Sequence, residues 1–359
     1  MSGVTRQIFA IRRFNGQFQE YLPPYPVVQY LDKSHVRVLG AINYFVGTGQ
    51  VFVPADIDVD VAAALDTGSI AAGTDYYVFL TAAGGVAVST SDTPAGLATG
   101  TYRKLGGFHT ICRSVPADYQ MPPSTVYGGA LHPLAGWSAG DILPLSVWAA
   151  NHHPRCQDPR GMVYIEELDL WVDIYVCSGN ISAPVSRFGG TRLHTQPQTA
   201  FLTGLANVGK TLLDDAEFWF AAVGSNTNTK VAGSEQPDPD TTGGHVDTEG
   251  DPMISAVGCE ECCGLSGQWL RDNFLVSKDA GSWDNGSTYA TKAFDGGSNS
   301  FGSIWFMQFN RAVFAGGTWS TTSVPSLGPL YRYAGNSRSS ARVFIGGRGS
   351  SRGSTMPVA

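Results

Sequence analysis

Residues 161–176 read GMVYIEELDLWVDIYV. Two apolar runs, Met162–Ile165 and Trp171–Val176, flank the acidic turn Glu166-Glu167-Leu168-Asp169, the pattern of two strands joined by a short connection. In the second run Val172, Ile174 and Val176 share one face of a pleated strand, and Trp171, Asp173 and Tyr175 share the other. Further on, Asp214-Asp215-Ala216-Glu217 opens a helix. The Asp214 carboxylate can accept a backbone N–H, and Glu217, three residues later, completes a capping box. Phe218, Ala221 and Ala222 then form an apolar stripe at i, i+3 and i+4, and Gly224 is placed to stop the helix.

Upstream the pattern differs. Residues 1–115 read as an all-β assembly domain, with strands expected at Gln7–Ile11, Val36–Leu39, Ala41–Val46, Tyr76–Leu80 and Tyr102–Cys112. Gly47-Thr48-Gly49 and Ala82–Gly85 give turn signals, Val59–Ala64 suggests a short helix, and Gly106-Gly107 suggests a bulge. Residues 116–158 are rich in Pro and Gly and carry Trp137 and Trp148, which predicts an ordered connector. The third segment is residues 159–359.

Composition bounds the function. With 43% hydrophobic and 15% charged residues, the 359-residue chain can build real cores and is not a disordered polymer. Gly (44), Pro (20) and 11% aromatics favour short strands and ordered loops over long helices. A net charge of -7 argues against a general nucleic-acid binder. The start, MSGVTRQIFAIRRFNGQF, lacks an apolar h-region, and no apolar run is long enough to span a bilayer. The expectation is a polypeptide made in the cytoplasm without membrane insertion, leaving the cell by release in a particle if it acts outside.

Two segments raise metals. The polar loop 225–251 carries Asp238, Asp240, Asp247, Glu249 and Asp251, hard oxygen ligands that make a structural calcium ion conceivable, although the EF-hand order is not satisfied. Otherwise no cofactor is expected. Cys259, Cys262 and Cys263 form a C-x-x-C-C cluster with His245 as its nearby imidazole, but a paired C-x-x-C is missing. Reduced, buried thiols are the favoured reading for these and for Cys112, Cys156 and Cys177. His152-His153 before Cys156 is read as structural, because adjacent side chains point apart in an extended segment.

The C-terminal stretch carries the functional expectation. After Asp295 there is no Asp or Glu, and six arginines follow: Arg311, Arg332, Arg338, Arg342, Arg348 and Arg352. Residues 318–354 are crowded with Ser, Thr, Gly, Tyr and Asn, the composition of a recognition loop in which Tyr gives rigid area, Ser, Gly and Asn adaptable hydrogen bonds, and Arg bidentate contacts. Trp305, Phe306, Phe309, Phe314, Trp319, Phe344 and Ile345 would tie it to a core.

Residues 161–353 resemble the C-type-lectin-fold domain of phage tropism determinants, receptor-binding proteins diversified by retroelements. The matching pieces, in order, are Gly161–Tyr164, Leu170–Tyr175, Gly209–Phe218, Ile254-Ser255, Gly258-Cys259-Glu260 with Gly264, Gln268–Asp272, Gly316–Trp319 and Gly346–Gly349. The resemblance implies an α+β fold class: an N-terminal all-β assembly domain followed by a C-type-lectin-like domain of the formylglycine-generating-enzyme type. It also implies a non-enzymatic protein of the virion, at the tail-fibre tip, that determines host tropism. Its partners would be a bacterial surface receptor, protein or glycan, and other tail-fibre or baseplate proteins, and it would be a homotrimer. The contact surface would lie in residues 318–344, with Ser320, Thr322, Val324, Tyr331, Arg332, Tyr333, Asn336, Arg338, Ser340 and Arg342 exposed above buried Trp319 and Ile345. This chain has Gly328-Pro329-Leu330 where the family commonly has Gly-Ser-Arg.

Two other readings stay open. A structural tail or collar protein would bury the same side chains against neighbouring subunits. An enzyme on the sulfatase-modifying version of the fold would need a reactive cysteine pair in the C-terminal region, and no cysteine follows Cys263.

Overall fold

The computed structural model describes residues 25–151, 156–233, 236–274, 290–293, 303–306, 311–321 and 328–352, and the short strands Arg13–Phe14 and Gln17–Phe18. The expected strand Gln7–Ile11 and the pair His152-His153 lie outside the described residues. The chain divides into two compact units, residues 1–110 with 140–154, and residues 111–139 with 155–359. The segment expected as one connector, 116–158, is therefore shared out between them, and Trp148–Ala149 within it is an edge strand of the first unit.

Among its described residues, the first unit is built from antiparallel strands and one 3-10 turn at Pro144–Ser146. Val28–Tyr30, His35–Val38 and Ile57–Asp60 form one sheet. Trp148–Ala149, Tyr102–His109, Asp75–Thr81 and Val86–Ser89 form another. Alternating side chains such as Val36, Val38, Val78, Leu80 and Val88 meet in one core. The short helix expected at Val59–Ala64 is instead the end of strand Ile57–Asp60 and a turn. Asp60 Oδ1 accepts the N–H groups of Ala62 and Ala63, at 2.9 and 3.1 Å, so the aspartate closes the chain after the strand. The Tyr102–His109 strand does shift register between Lys104 and Gly106, as a bulge would. The two glycines there admit neighbouring backbone: a Cβ on Gly106 would lie 2.0 Å from the Trp148 carbonyl oxygen, and one on Gly107 2.4 Å from that of Tyr76.

The second unit joins two sheets through its last strands. Met162–Ile165, Leu170–Asp173, Gly349–Ser351 and Thr211–Leu212 form a four-stranded antiparallel sheet. The second sheet has the order Ala290–Ala293, Ser303–Phe306, Gly328–Asn336, Arg311–Gly316, Gly267–Phe274, Ile345–Gly347. Leu170–Asp173 pairs with Gly349–Ser351, with Trp171 opposite Ser351 and Val172 opposite Ser350. Ile345–Gly347 instead pairs in parallel with Gly267–Phe274. Arg348 stands where the chain passes from one sheet to the other.

The helix Asp215–Ala222 carries its full capping box: Asp214 Oδ1 accepts the Glu217 N–H at 2.8 Å, and Glu217 Oε2 accepts the Asp214 N–H at 2.9 Å. A second helix, Gln198–Asn207, has no counterpart in the sequence reading. Its N-cap is Pro197 with no side-chain cap, and its interior holds Gly204, where a Cβ would lie 1.8 Å from the Ile181 carbonyl oxygen. Phe201 and Leu205 on its inner face pack with Trp269, Phe314, Tyr331 and Ile345. Tertiary packing rather than propensity holds this helix.

Candidate functional site

Strand Gly328–Asn336 and the loop after it carry most of the expected contact residues. Tyr331 and Arg332 are not surface residues: they are 6% and 4% exposed. Tyr331 belongs to the core around Phe314, and Tyr333 stacks on Phe314 at 4.9 Å between ring centroids. Arg332, on the other face of the strand, pairs with Asp215 and lies over the Phe218 ring at 5.1 Å. Its Nη1 also donates to the carbonyl oxygens of Pro329 (2.6 Å) and Tyr331 (2.9 Å). Both faces of the strand are covered, one by the core and one by the helix start. Tyr331 and Arg332 are thus corrected to framework, and Tyr333 is half-buried.

The exposed part lies on either side of this strand. Ser320, Arg338 and Arg342 are exposed, Asn336 and Ser340 are half-buried, and Thr322 and Val324 lie outside the described residues. Ile345 is buried as expected, whereas Trp319 is half-buried against Val231, Met253 and Leu265. Short polar contacts hold the exposed loop in shape. The Ser337 hydroxyl lies 3.0 Å from those of Ser339 and Ser340, and the Ser340 N–H donates to the Ser337 carbonyl at 3.0 Å. The Arg342 carbonyl accepts from Thr195 and Ile345. Arg338 Nε donates to Gln198 Oε1 at 3.0 Å, and the buried Gln198 in turn donates to the Leu270 carbonyl at 2.6 Å. At Ser320, the Thr318 hydroxyl gathers those of Ser320 and Thr321 at 2.9 and 3.0 Å. Trp219, 40% exposed, is a further aromatic available for contact. The sequence held its signal: Trp219 lies off the Phe218, Ala221, Ala222 stripe of its helix.

Arg348 fixes the base of this architecture. It is wholly buried, and Nε donates to Gln268 Oε1 at 2.9 Å. Nη1 donates to the carbonyls of Asp173 (2.7 Å) and Ile174 (2.5 Å), and Nη2 to that of Glu260. One guanidinium therefore ties both sheets and the Cys259–Cys263 turn together. Beside it, Asp173 pairs with Lys210 at 2.6 Å.

The calcium candidates fall in two places. Asp240 pairs with the buried Arg192 at 2.7 Å, and Asp238 is exposed. Asp247 lies elsewhere: Oδ1 accepts the N–H groups of Glu249 and Asp251 at 2.9 and 3.0 Å, and Oδ2 accepts the Thr229 hydroxyl at 2.6 Å. Among the described residues no three His, Cys, Asp or Glu side chains gather as a metal site. All six cysteines are free and buried, and His245 faces Glu261 rather than Cys259, Cys262 or Cys263. Burial pushes the Cys262 thiol up, but its hydrogen bond with Cys259 and the charge of Arg348 bring it down to about 7. Burial, then the charge of Glu261, raises Glu260 to about 7.

Similarity to known proteins agrees with this fold. Residues 27–148 match the family model described as the Mtd second domain. The solved Major Tropism Determinant U1 variant superposes with a TM-score of 0.67 at 22% identity, over 91% of this chain and 83% of that one. The chain has the fold of the phage tropism determinants. The I1 variant gives a TM-score of 0.68 at 21% identity with the same coverage. A curated relative, the tail fiber receptor-binding protein of Bordetella phage BPP-1, is 27% identical over 312 residues, 80% of this chain and 73% of its own length. The tropism-determinant fold places this chain in the α+β class with a C-type-lectin-like second unit.

Proposed function

We propose that this chain is a non-enzymatic receptor-binding protein of a phage tail fibre, carried at the fibre tip in the virion, where it contacts a bacterial surface receptor and determines host tropism. The observation that carries the reading is the ordered, acid-free loop 337–342, which keeps Arg338 and Arg342 at the surface while Thr195 and neighbouring serines fix its backbone and hydroxyls and Gln198 anchors the Arg338 side chain. A contact surface ordered before binding loses little entropy when it binds. Ser320 and the half-buried Asn336 and Ser340 would add hydrogen bonds. The likeness to the Bordetella phage protein supports the same role. A homotrimer completes the proposal, because threefold presentation turns weak single contacts into avid attachment. The test is adsorption of the labelled full chain to a panel of bacterial strains, with protease-treated and periodate-treated cells separating protein from glycan receptors. Saturable binding to some strains and not others is the expected result. Absence of strain-selective binding across the panel, with the chain trimeric and folded, would favour a structural tail protein instead.

A further inference from the structure

The second unit holds a polar cleft of about 580 Å³, lined by residues 116–124, 226–229 and the acidic loop at 247–251. Its carboxylates are Asp118, Asp247, Glu249 and Asp251, and among the described residues no Lys, Arg or His lines it. The crowding is felt: burial first, then the charges of Asp247, Glu249 and Asp118, raise the Asp251 carboxyl above its usual range. An independent observation points to an absent ligand. Asn226, 1% exposed, lines the cleft and spends its Nδ2 on the Thr229 carbonyl and hydroxyl, at 3.1 and 3.3 Å. Its Oδ1 is buried with no hydrogen-bond partner. Buried acceptors are rarely left unpaired.

Asn226 Oδ1 lacks a hydrogen-bond donor, and the four carboxylates lack a positive charge among the described lining residues. Asp247 is held in place by Thr229 and the loop N–H groups. The described side chains do not gather as a metal site. A cleft of this volume instead suits an organic cation with an alkyl stem, which Met121 and Pro122-Pro123 can line while the carboxylates meet the charged head. We propose that this cleft receives a lysine or arginine side chain from a basic segment of a partner protein. The site is separate in sequence from the loop 337–342 and goes beyond receptor binding by that loop.

The test is calorimetric titration of the full chain at low ionic strength, where such contacts are least screened. The ligand is a blocked Lys-Gly-Lys peptide, with its norleucine counterpart and calcium chloride as separate arms. The lysine peptide should bind and the norleucine peptide should not. Glu249→Gln with Asp251→Asn should weaken binding at least roughly tenfold without moving Tm, because neither side chain carries the Asp247 bonds. Equal binding of both peptides, an unaffected double variant, calcium binding that displaces the lysine peptide, or no peptide binding would each overturn the proposal.

Discussion

Replacing Arg348 by methionine tests whether one buried guanidinium joins the two sheets of the second unit. Methionine fills much of the same space and donates nothing. The substitution strands the carbonyls of Asp173 and Glu260 and the Gln268 side-chain oxygen, all now served by Arg348, whereas the Ile174 carbonyl keeps the Glu260 N–H at 2.7 Å. Leaving a buried acceptor unpaired costs about 1–2 kcal/mol, so these three acceptors come to about 3–6 kcal/mol. Relief from burying the charge offsets part of that, leaving about 3–4 kcal/mol. For a unit of this size that is roughly a 10 °C fall in its Tm by differential scanning calorimetry. Lysine in place of Arg348 should fare nearly as badly, because a point charge cannot meet four acceptors arranged around a planar fork. A fall of less than about 2 °C with methionine, or full rescue by lysine, would refute the idea that this fork holds the sheets.

Stability of the second unit should decline as pH rises. Glu260, raised to about 7 when folded, contributes stability that is complete below its unfolded value of about 4.5 and lost as pH climbs through about 7. The protonated His245 partner of Glu261, also raised, acts in the same direction. Glu260→Gln should therefore raise the denaturant midpoint at pH 8 by an amount equivalent to about 2–3 kcal/mol and change little at pH 4; equal effects at both values would contradict the assignment. Tyr331→Ala should destabilise the second unit by about 3–4 kcal/mol in chemical denaturation, as for a large core aromatic, and a stable variant would return Tyr331 to the surface. Gly106→Ala should cost the first unit about 1–3 kcal/mol, read from its calorimetric transition, because the added Cβ meets the Trp148 carbonyl; an unchanged transition would mean that the edge strand yields freely.

Much of the fold was legible where local chemistry is self-sufficient. The Asp214–Glu217 capping box and the strand pair around Leu168 follow from neighbours in sequence; the box stands as read, and the pair does too except that its second strand runs Leu170–Asp173 rather than Trp171–Val176. Helix Gln198–Asn207 was hidden because its start has no capping side chain and its interior carries Gly204, whose reason is a backbone contact with Ile181. Tyr331 and Arg332 misled for a related reason. Their types suit a recognition surface, but Asp215 and Phe218 at a distant helix start cover one face of their strand, and no local pattern announces that. Arg338 and Arg342, past the end of the strand, escaped that cover.

The contact surface itself is tested most directly by cell binding of the Arg338→Ala/Arg342→Ala double variant, with Tm measured on the same preparation. Exposed arginine anchors at a contact centre are worth roughly 2 kcal/mol each, so adsorption to receptor-bearing cells should fall by well over tenfold. Arg342 is exposed, and loss of the Arg338 bond to the buried Gln198 costs about 1–2 kcal/mol, so Tm should fall by no more than about 8 °C and the variant should stay folded. Undiminished adsorption of a folded double variant would place the receptor surface elsewhere and contradict the account.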